Sequence, residues 1–283
     1  MKKIKNNIRL IIQFAFFAVT NGYIKGYTEG KIFTGKTKMF CLPGLNCYSC
    51  PGALGACPLG ALQNTFGNRD FKFAFYVLGV LMLFGTLGGR FVCGFLCPFG
   101  LIQDLLYKIP FIRKFKNIPG NRFLKWFKYV LLAVFVVLLP MFAVDATGLG
   151  SPWFCKYICP SGTALAGIPL VLANESLRNA VGFLYGWKVA ILIVIVLLSV
   201  IFYRPFCKYL CPLGAFYSFF NSVSLYRYTV DTEKCTSCGA CRSKCKMDIS
   251  VWKNPNSADC IRCGDCIRIC PEEAIDIIKF GKK

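Results

Sequence analysis

The sequence predicts two unlike parts: a membrane all-α portion over residues 1–227, with about four transmembrane helices, internal duplication and re-entrant segments, followed by a small α+β domain over residues 228–283. Three observations predict this. Of the 283 residues 55% are hydrophobic, with 27 Phe and only 13 Asp and Glu, a composition of membrane proteins rather than soluble globules. Apolar stretches able to cross about 30 Å of hydrocarbon lie near residues 8–27, 71–88, 125–144 and 187–203. The chain also holds 18 cysteines, nearly all in spaced motifs, with eight crowded between residues 235 and 270.

The first stretch contains Gln13, Asn21 and Lys25. Its start is similar to a secretory signal, but it lacks a small-residue cleavage site and is read as an uncleaved first helix. Residues 161–173 are apolar but too short to span, so they are expected to be re-entrant or interfacial. Lys and Arg number four in residues 1–9, eight in 89–128 and thirteen from 204 onward, against four in 28–70 and two in 145–186. Cytoplasmic loops are enriched in these residues, so both termini of a multi-pass cell-membrane protein are placed inside.

The C-terminal runs are Cys235-xx-Cys238-xx-Cys241-xxx-Cys245 and Cys260-xx-Cys263-xx-Cys266-xxx-Cys270-Pro271. In paired runs of this spacing three cysteines of one run and the fourth of the other hold each cubane, as in two-cluster ferredoxins. Cys235, Cys238, Cys241 and Cys270 are therefore assigned to one [4Fe–4S] cluster, and Cys260, Cys263, Cys266 and Cys245 to the second. A zinc pair would need only four ligands in all and gives no reason for two such tight runs. One departure from the usual pattern is Lys246, where a proline commonly follows the fourth cysteine.

The other ten cysteines divide between the two sides. CysPro-x-Gly occurs at Cys57, Cys97, Cys159 and Cys211, alternating outside and inside, which reads as a repeat of helix, outer motif, helix, inner motif. Like motifs meet if the halves are related by a pseudo-twofold along the membrane normal. CxxxC sets two thiols one helical turn apart, half of a cubane's ligands. Cys93 and Cys97 of ArgPheValCysGlyPheLeuCysProPheGly, with Cys207 and Cys211 of ArgProPheCysLysTyrLeuCysProLeuGly, make the inner set.

The outer set is open to two readings, because Ala53 stands where the first half needs a cysteine. Either Cys155 and Cys159 join Cys57 and one of Cys41, Cys47 and Cys50, or Cys41, Cys47, Cys50 and Cys57 form a set alone. Two cysteines are then left as a disulfide or as unused thiols. Two membrane clusters are expected besides the two C-terminal ones.

With no histidine in the chain, histidine-ligated haem, Ser-His-Asp chemistry and histidine-bound zinc or copper are excluded. The formal charge of +21 falls to about +13 with four cubanes at about −2 each. The positive-inside distribution accounts for it without nucleic acid.

CxxxCP motifs at helix ends, four spans and a double-cluster C-terminus resemble the NapH-type membrane iron–sulfur subunits, with wider similarity to the membrane part of NosR-type proteins. The resemblance covers residues 71–275 and implies passage of electrons between the quinone pool or cytoplasmic ferredoxin and a partner on the outer side. A flavin belongs to a separate flavoprotein partner on this reading, since AspAlaThrGly at 145–148 matches a flavin-attachment motif only in part. The alternatives are a quinol dehydrogenase feeding the C-terminal clusters, for which Asp145 is a candidate proton acceptor, and a redox sensor or metal-centre maturation factor.

Overall fold

The computed structural model describes residues 2–67, 71–110, 114–116, 118–143 and 150–278. Asp145 and the 145–148 motif lie outside the described residues. Each apolar stretch forms a helix: Lys2–Thr20, Phe71–Gly88, Asn121–Phe142 and Phe183–Ile201. Among the described residues, Asn121–Phe142 and Phe183–Ile201 are long and apolar enough to cross a membrane, whereas Ile8–Thr20 and Phe75–Gly88 are shorter apolar helices. The first helix ends seven residues before its expected limit. There the Thr20 hydroxyl donates to the Phe16 carbonyl (2.8 Å) and the Asn21 amide to that of Phe17 (3.2 Å), and the chain turns into a separate helix, Ile24–Glu29. The short 161–173 segment lies in one helix, Pro160–Ala173, with a wide-turn stretch at Thr163–Gly167.

All four CysPro-x-Gly motifs are helix starts, and the local chemistry explains their composition. In the helices beginning at Pro98, Pro160 and Pro212 the cysteine is the N-cap, proline takes the first helical position and the glycine N–H donates to the cysteine sulfur at 3.4, 3.4 and 3.3 Å. The helix Pro58–Gly67 likewise starts at the proline after Cys57. Proline loses nothing at a position whose N–H has no intrahelical acceptor, and sulfur substitutes for the usual hydroxyl or carboxylate cap.

The C-terminal segment pairs Tyr228–Val230 antiparallel with Ile275–Ile277, Tyr228 opposite Ile277. Between them lie two short helices, Ala240–Lys244 and Asp265–Ile269, each entered through a left-handed glycine, Gly239 (φ +75°) and Gly264 (φ +78°). This segment packs directly on the helical part. One continuous core contains Val92, Phe206 and Tyr217 together with Met247, Ile261 and Ile275.

The seam is polar and specific. Asp259 receives Arg90, Lys125 and Lys128 at 3.3, 2.8 and 2.6 Å. The Asn221 amide donates to the carbonyls of Ser257 and Cys260, and the Arg262 guanidinium to those of Gly88 and Asn221. Burial pushes the Asp259 carboxyl up, and the three cations more than reverse this, holding it well below the usual carboxylate range.

Candidate metal centres

Sixteen of the 18 cysteines lie in four groups of four. Cys235, Cys238, Cys241 and Cys270 line one pocket of the C-terminal segment, and Cys245, Cys260, Cys263 and Cys266 line the other. These are the crossed sets expected from the two runs. Lys246 after Cys245 does not stand free: its ammonium lies 5.2 Å from the centre of the Tyr203 ring.

Cys93, Cys97, Cys207 and Cys211 are all buried and lie within electrostatic reach of one another. Reciprocal contacts join the two motifs here. Arg90 donates to the Cys207 carbonyl at 2.8 Å, and Arg204 donates to that of Cys93. Gln103 donates to the Cys207 sulfur at 3.1 Å. The motif glycines leave room for these cations: a Cβ on Gly100 would lie 3.2 Å from an Arg204 nitrogen, and one on Gly214 would lie 3.2 Å from an Arg90 nitrogen.

Four of the outer thiols share one cavity. Cys47, Cys57, Cys155 and Cys159 line a cavity of about 360 Å³ with Tyr48 and Lys188. Gln63, six residues after Cys57 as Gln103 is after Cys97, donates to the Cys155 sulfur at 3.3 Å. Its carbonyl accepts the Phe154 N–H at 2.9 Å.

Cys41 and Cys50 are not brought to this set, and they are free thiols rather than a disulfide. Cys41 takes part in a backbone bridge with Ala56. Cys50 is fully buried 3.1 Å from the Tyr27 hydroxyl and 3.5 Å from the Asn21 side-chain oxygen. Neither Cys41 nor Cys50 lines the cavity, although Cys47 also packs against the hydrophobic cluster that contains Cys50.

The residues present suit cubanes. Buried Arg90 Nε has no hydrogen-bond partner in the described protein, leaving a donor for an acceptor the chain does not supply. Helix N-termini carrying Cys97 and Cys211 on one side, and Cys57 and Cys159 on the other, favour an anionic group at each set.

The sets are closely spaced. The loop before Cys47 touches both the inner and the outer motifs: a Cβ on Gly44 would lie 3.1 Å from the Cys97 Cα, and the next residue, Leu45, accepts the Ser161 hydroxyl, two residues after Cys159, at 3.4 Å. The Tyr217 hydroxyl donates to the Pro43 carbonyl at 2.9 Å, fixing the start of this loop. On the other side, Gly94, next to Cys93, is so near Ile261, next to Cys260, that a Cβ would lie 2.4 Å from the Ile261 oxygen.

Fold and sites define an iron–sulfur electron-transfer protein. A 4Fe-4S binding domain family matches residues 72–119, 130–170 and 186–225, and a second 4Fe-4S binding domain matches residues 228–249. An uncharacterized protein of Methanocaldococcus jannaschii is 30% identical over 230 residues, covering 78% of this chain and 84% of its own. The ferredoxin-type protein NapH of Haemophilus influenzae is 24% identical over 72% of this chain and 66% of its own. The methylamine utilization ferredoxin-type protein MauN of Paracoccus denitrificans is 28% identical over 69% and 62%. No solved structure matches. The chain belongs to the family of NapH- and MauN-like ferredoxin-type 4Fe-4S proteins.

The sequence reading did not assign roles to Gln63, Gln103, Arg90, Arg204, Asp104 or Asp259. The glutamines were findable from CysPro-x-Gly-xx-Gln at 57–63 and 97–103, and the arginines from Arg-xx-Cys-xxx-CysPro at 90–98 and 204–212. The carboxylates had no such signal.

Proposed function

We propose that the chain is a transmembrane electron conduit holding four [4Fe–4S] clusters, in the order Cys235 set, Cys245 set, Cys93 set and Cys47 set. It is a multi-pass cell-membrane protein with four spans, duplicated halves and both termini cytoplasmic. The C-terminal domain, residues 228–283, accepts or delivers electrons inside. The Cys47 set, at its wide cavity, faces a redox partner outside, a flavoprotein in the simplest case. Bound clusters supply one-electron carriage; the protein's part is to space them, exclude water and donate hydrogen bonds to their thiolates.

The carrying observation is the Gly44–Leu45 loop, which lies against Cys97 of one set and accepts the hydroxyl of Ser161, two residues after Cys159 of the other. It answers the main objection to a single-chain wire, that motifs at opposite faces of a bilayer are about 30 Å apart. A single-chain wire needs both motifs to dip inward, and this contact supports that. The large exposed apolar side chains along the two long helices, Phe123, Phe142, Phe183, Ile193 and Leu197 among them, support the bilayer setting.

Anaerobic purification with iron quantitation tests the reading. Roughly 16 irons per chain are expected from four cubanes of four irons each, and serine at Cys93, Cys155, Cys238 or Cys263 should each remove about four. A total near eight, unchanged by Cys93→Ser and Cys155→Ser, would sink it.

A second reading, quinol oxidation on the inner side, rests on one pocket. A cavity of about 120 Å³ is lined by Arg9, Gln13, Asp104, Tyr107 and Tyr203 beside the Cys245 set, and the buried Gln13 carbonyl has no partner among the described residues. Rapid reduction of the purified clusters by a short-chain quinol, abolished by Gln13→Leu, would favour it.

A further inference from the structure

Two fully buried arginines flank the Cys93 set, one from each half, and both lie three residues before a first CxxxC cysteine. Each reaches across to the other half's cysteine carbonyl. Arg90 is in electrostatic contact with Cys93, Cys207 and Cys211, and Arg204 with Cys97 and Cys207. The corresponding positions before Ala53 and Cys155 are Cys50 and Pro152, so the outer set has no such pair.

Their counter-ions do not cancel them. Asp104 is shared by Arg204 and Arg9, and Asp259 by Arg90, Lys125 and Lys128. Five cations therefore face two carboxylates around this one site. Adding an electron makes a thiolate-ligated cubane more negative, and buried positive charge stabilises that product in a low dielectric.

Resting on the four-cluster reading, we propose that Arg90 and Arg204 act as a matched pair of potential-setting residues that make the Cys93-set cluster easier to reduce, so that an electron crossing the chain comes to rest there. The carbonyl bonds brace the two halves; the guanidinium charge does the tuning. Sharing of each carboxylate makes this testable, because Arg90→Gln leaves Asp259 with two lysines and Arg204→Gln leaves Asp104 with Arg9.

The experiment is a redox titration followed by electron paramagnetic resonance on the purified full chain. The Cys93-set signal is identified as the one lost in Cys207→Ser. Arg90→Gln and Arg204→Gln are each expected to lower its reduction equilibrium constant at least tenfold, about 59 mV for one electron. Arg90→Lys should keep most of the wild-type value, and Asp104→Asn should shift it the opposite way.

An unchanged midpoint in both glutamine variants, or Asp104→Asn moving in the same direction as Arg204→Gln, overturns the proposal. If one glutamine variant fails to assemble, the other and Asp104→Asn decide by the same criterion. Should wild-type protein have no signal that Cys207→Ser removes, the four-cluster reading itself has failed.

Discussion

Replacing Gly94 with alanine puts a methyl group where the Ile261 carbonyl oxygen already stands. The new carbon would lie 2.4 Å from that oxygen, and ordinary contact begins near 3.4 Å, so the C-terminal segment must retreat by about 1 Å or the Phe91–Phe95 helix must shift. Ile261 is only 1% exposed and its oxygen is backbone, so no flexible side chain can absorb the clash. Overpacking of this kind costs about 3 kcal/mol at the upper end of its usual range. Alanine's better helix propensity returns about 1 kcal/mol.

The net of about 2 kcal/mol raises the population with the C-terminal segment undocked roughly thirtyfold, and proteolysis in the fast-opening regime follows that population. Limited proteolysis of detergent-solubilised protein, following release of the C-terminal fragment, measures it. Gly79→Ala is the control, since a Cβ there meets no atom within 4 Å. Equal cleavage rates for Gly94→Ala, Gly79→Ala and wild type would refute the reasoning.

Gln103→Leu removes an N–H···S bond at the Cys93 set and should lower the midpoint of that cluster alone. Gln63→Leu should do the same at the Cys47 set and also destabilise the chain by about 1–3 kcal/mol, because the buried Phe154 N–H loses its acceptor; redox titration and thermal unfolding distinguish the two effects. Cys47→Ser should remove about four irons, one cubane's worth, whereas Cys41→Ser and Cys50→Ser should leave the iron count unchanged. Burial pushes the Asp104 carboxyl up, but Arg204 and then Arg9 more than reverse this, so it titrates below its ordinary value of 3.8. Its stabilisation is therefore present in full above that value and lost as pH falls toward the folded-state one. Asp104→Asn should cost about 3 kcal/mol near neutral pH, with the gap to wild type closing only below about pH 4 in pH-dependent unfolding. Under mild oxidation with an iron chelator, the cluster at Cys235, Cys238, Cys241 and Cys270 should bleach first and the Cys93 set last, since Cys238 is exposed and all four inner thiols are buried.

Much of the site was legible in the chain because its signals are local. CysPro-x-Gly marks a helix start through the geometry of a single turn, so four motifs gave four helix N-termini. The paired CxxCxxCxxxC runs lead to the crossed grouping of the C-terminal thiols, and that grouping is what the two pockets contain. The end of the first helix was missed because Thr20 and Asn21 cap it with side-chain bonds that an apolarity window cannot register. Which loop cysteine joins Cys57 was likewise undetermined, since Cys41, Cys47 and Cys50 are chemically identical and differ only in where the loop's turns aim them.

Taken alone, the sequence determined the class of chemistry: sulfur-bound iron, no histidine-held cofactor, and thiols disposed in repeated sets. Those conclusions depend on residue type and short spacing, which the chain carries openly. Only the tertiary structure placed Cys47 in one cavity with Cys57, Cys155 and Cys159, closed Arg90 and Arg204 reciprocally on the inner thiols, and set Gly44, Leu45 and Gly94 against neighbouring motifs. The physical reason is that each of these contacts joins residues tens to more than a hundred positions apart, where packing and charge pairing, rather than local pattern, select the partner.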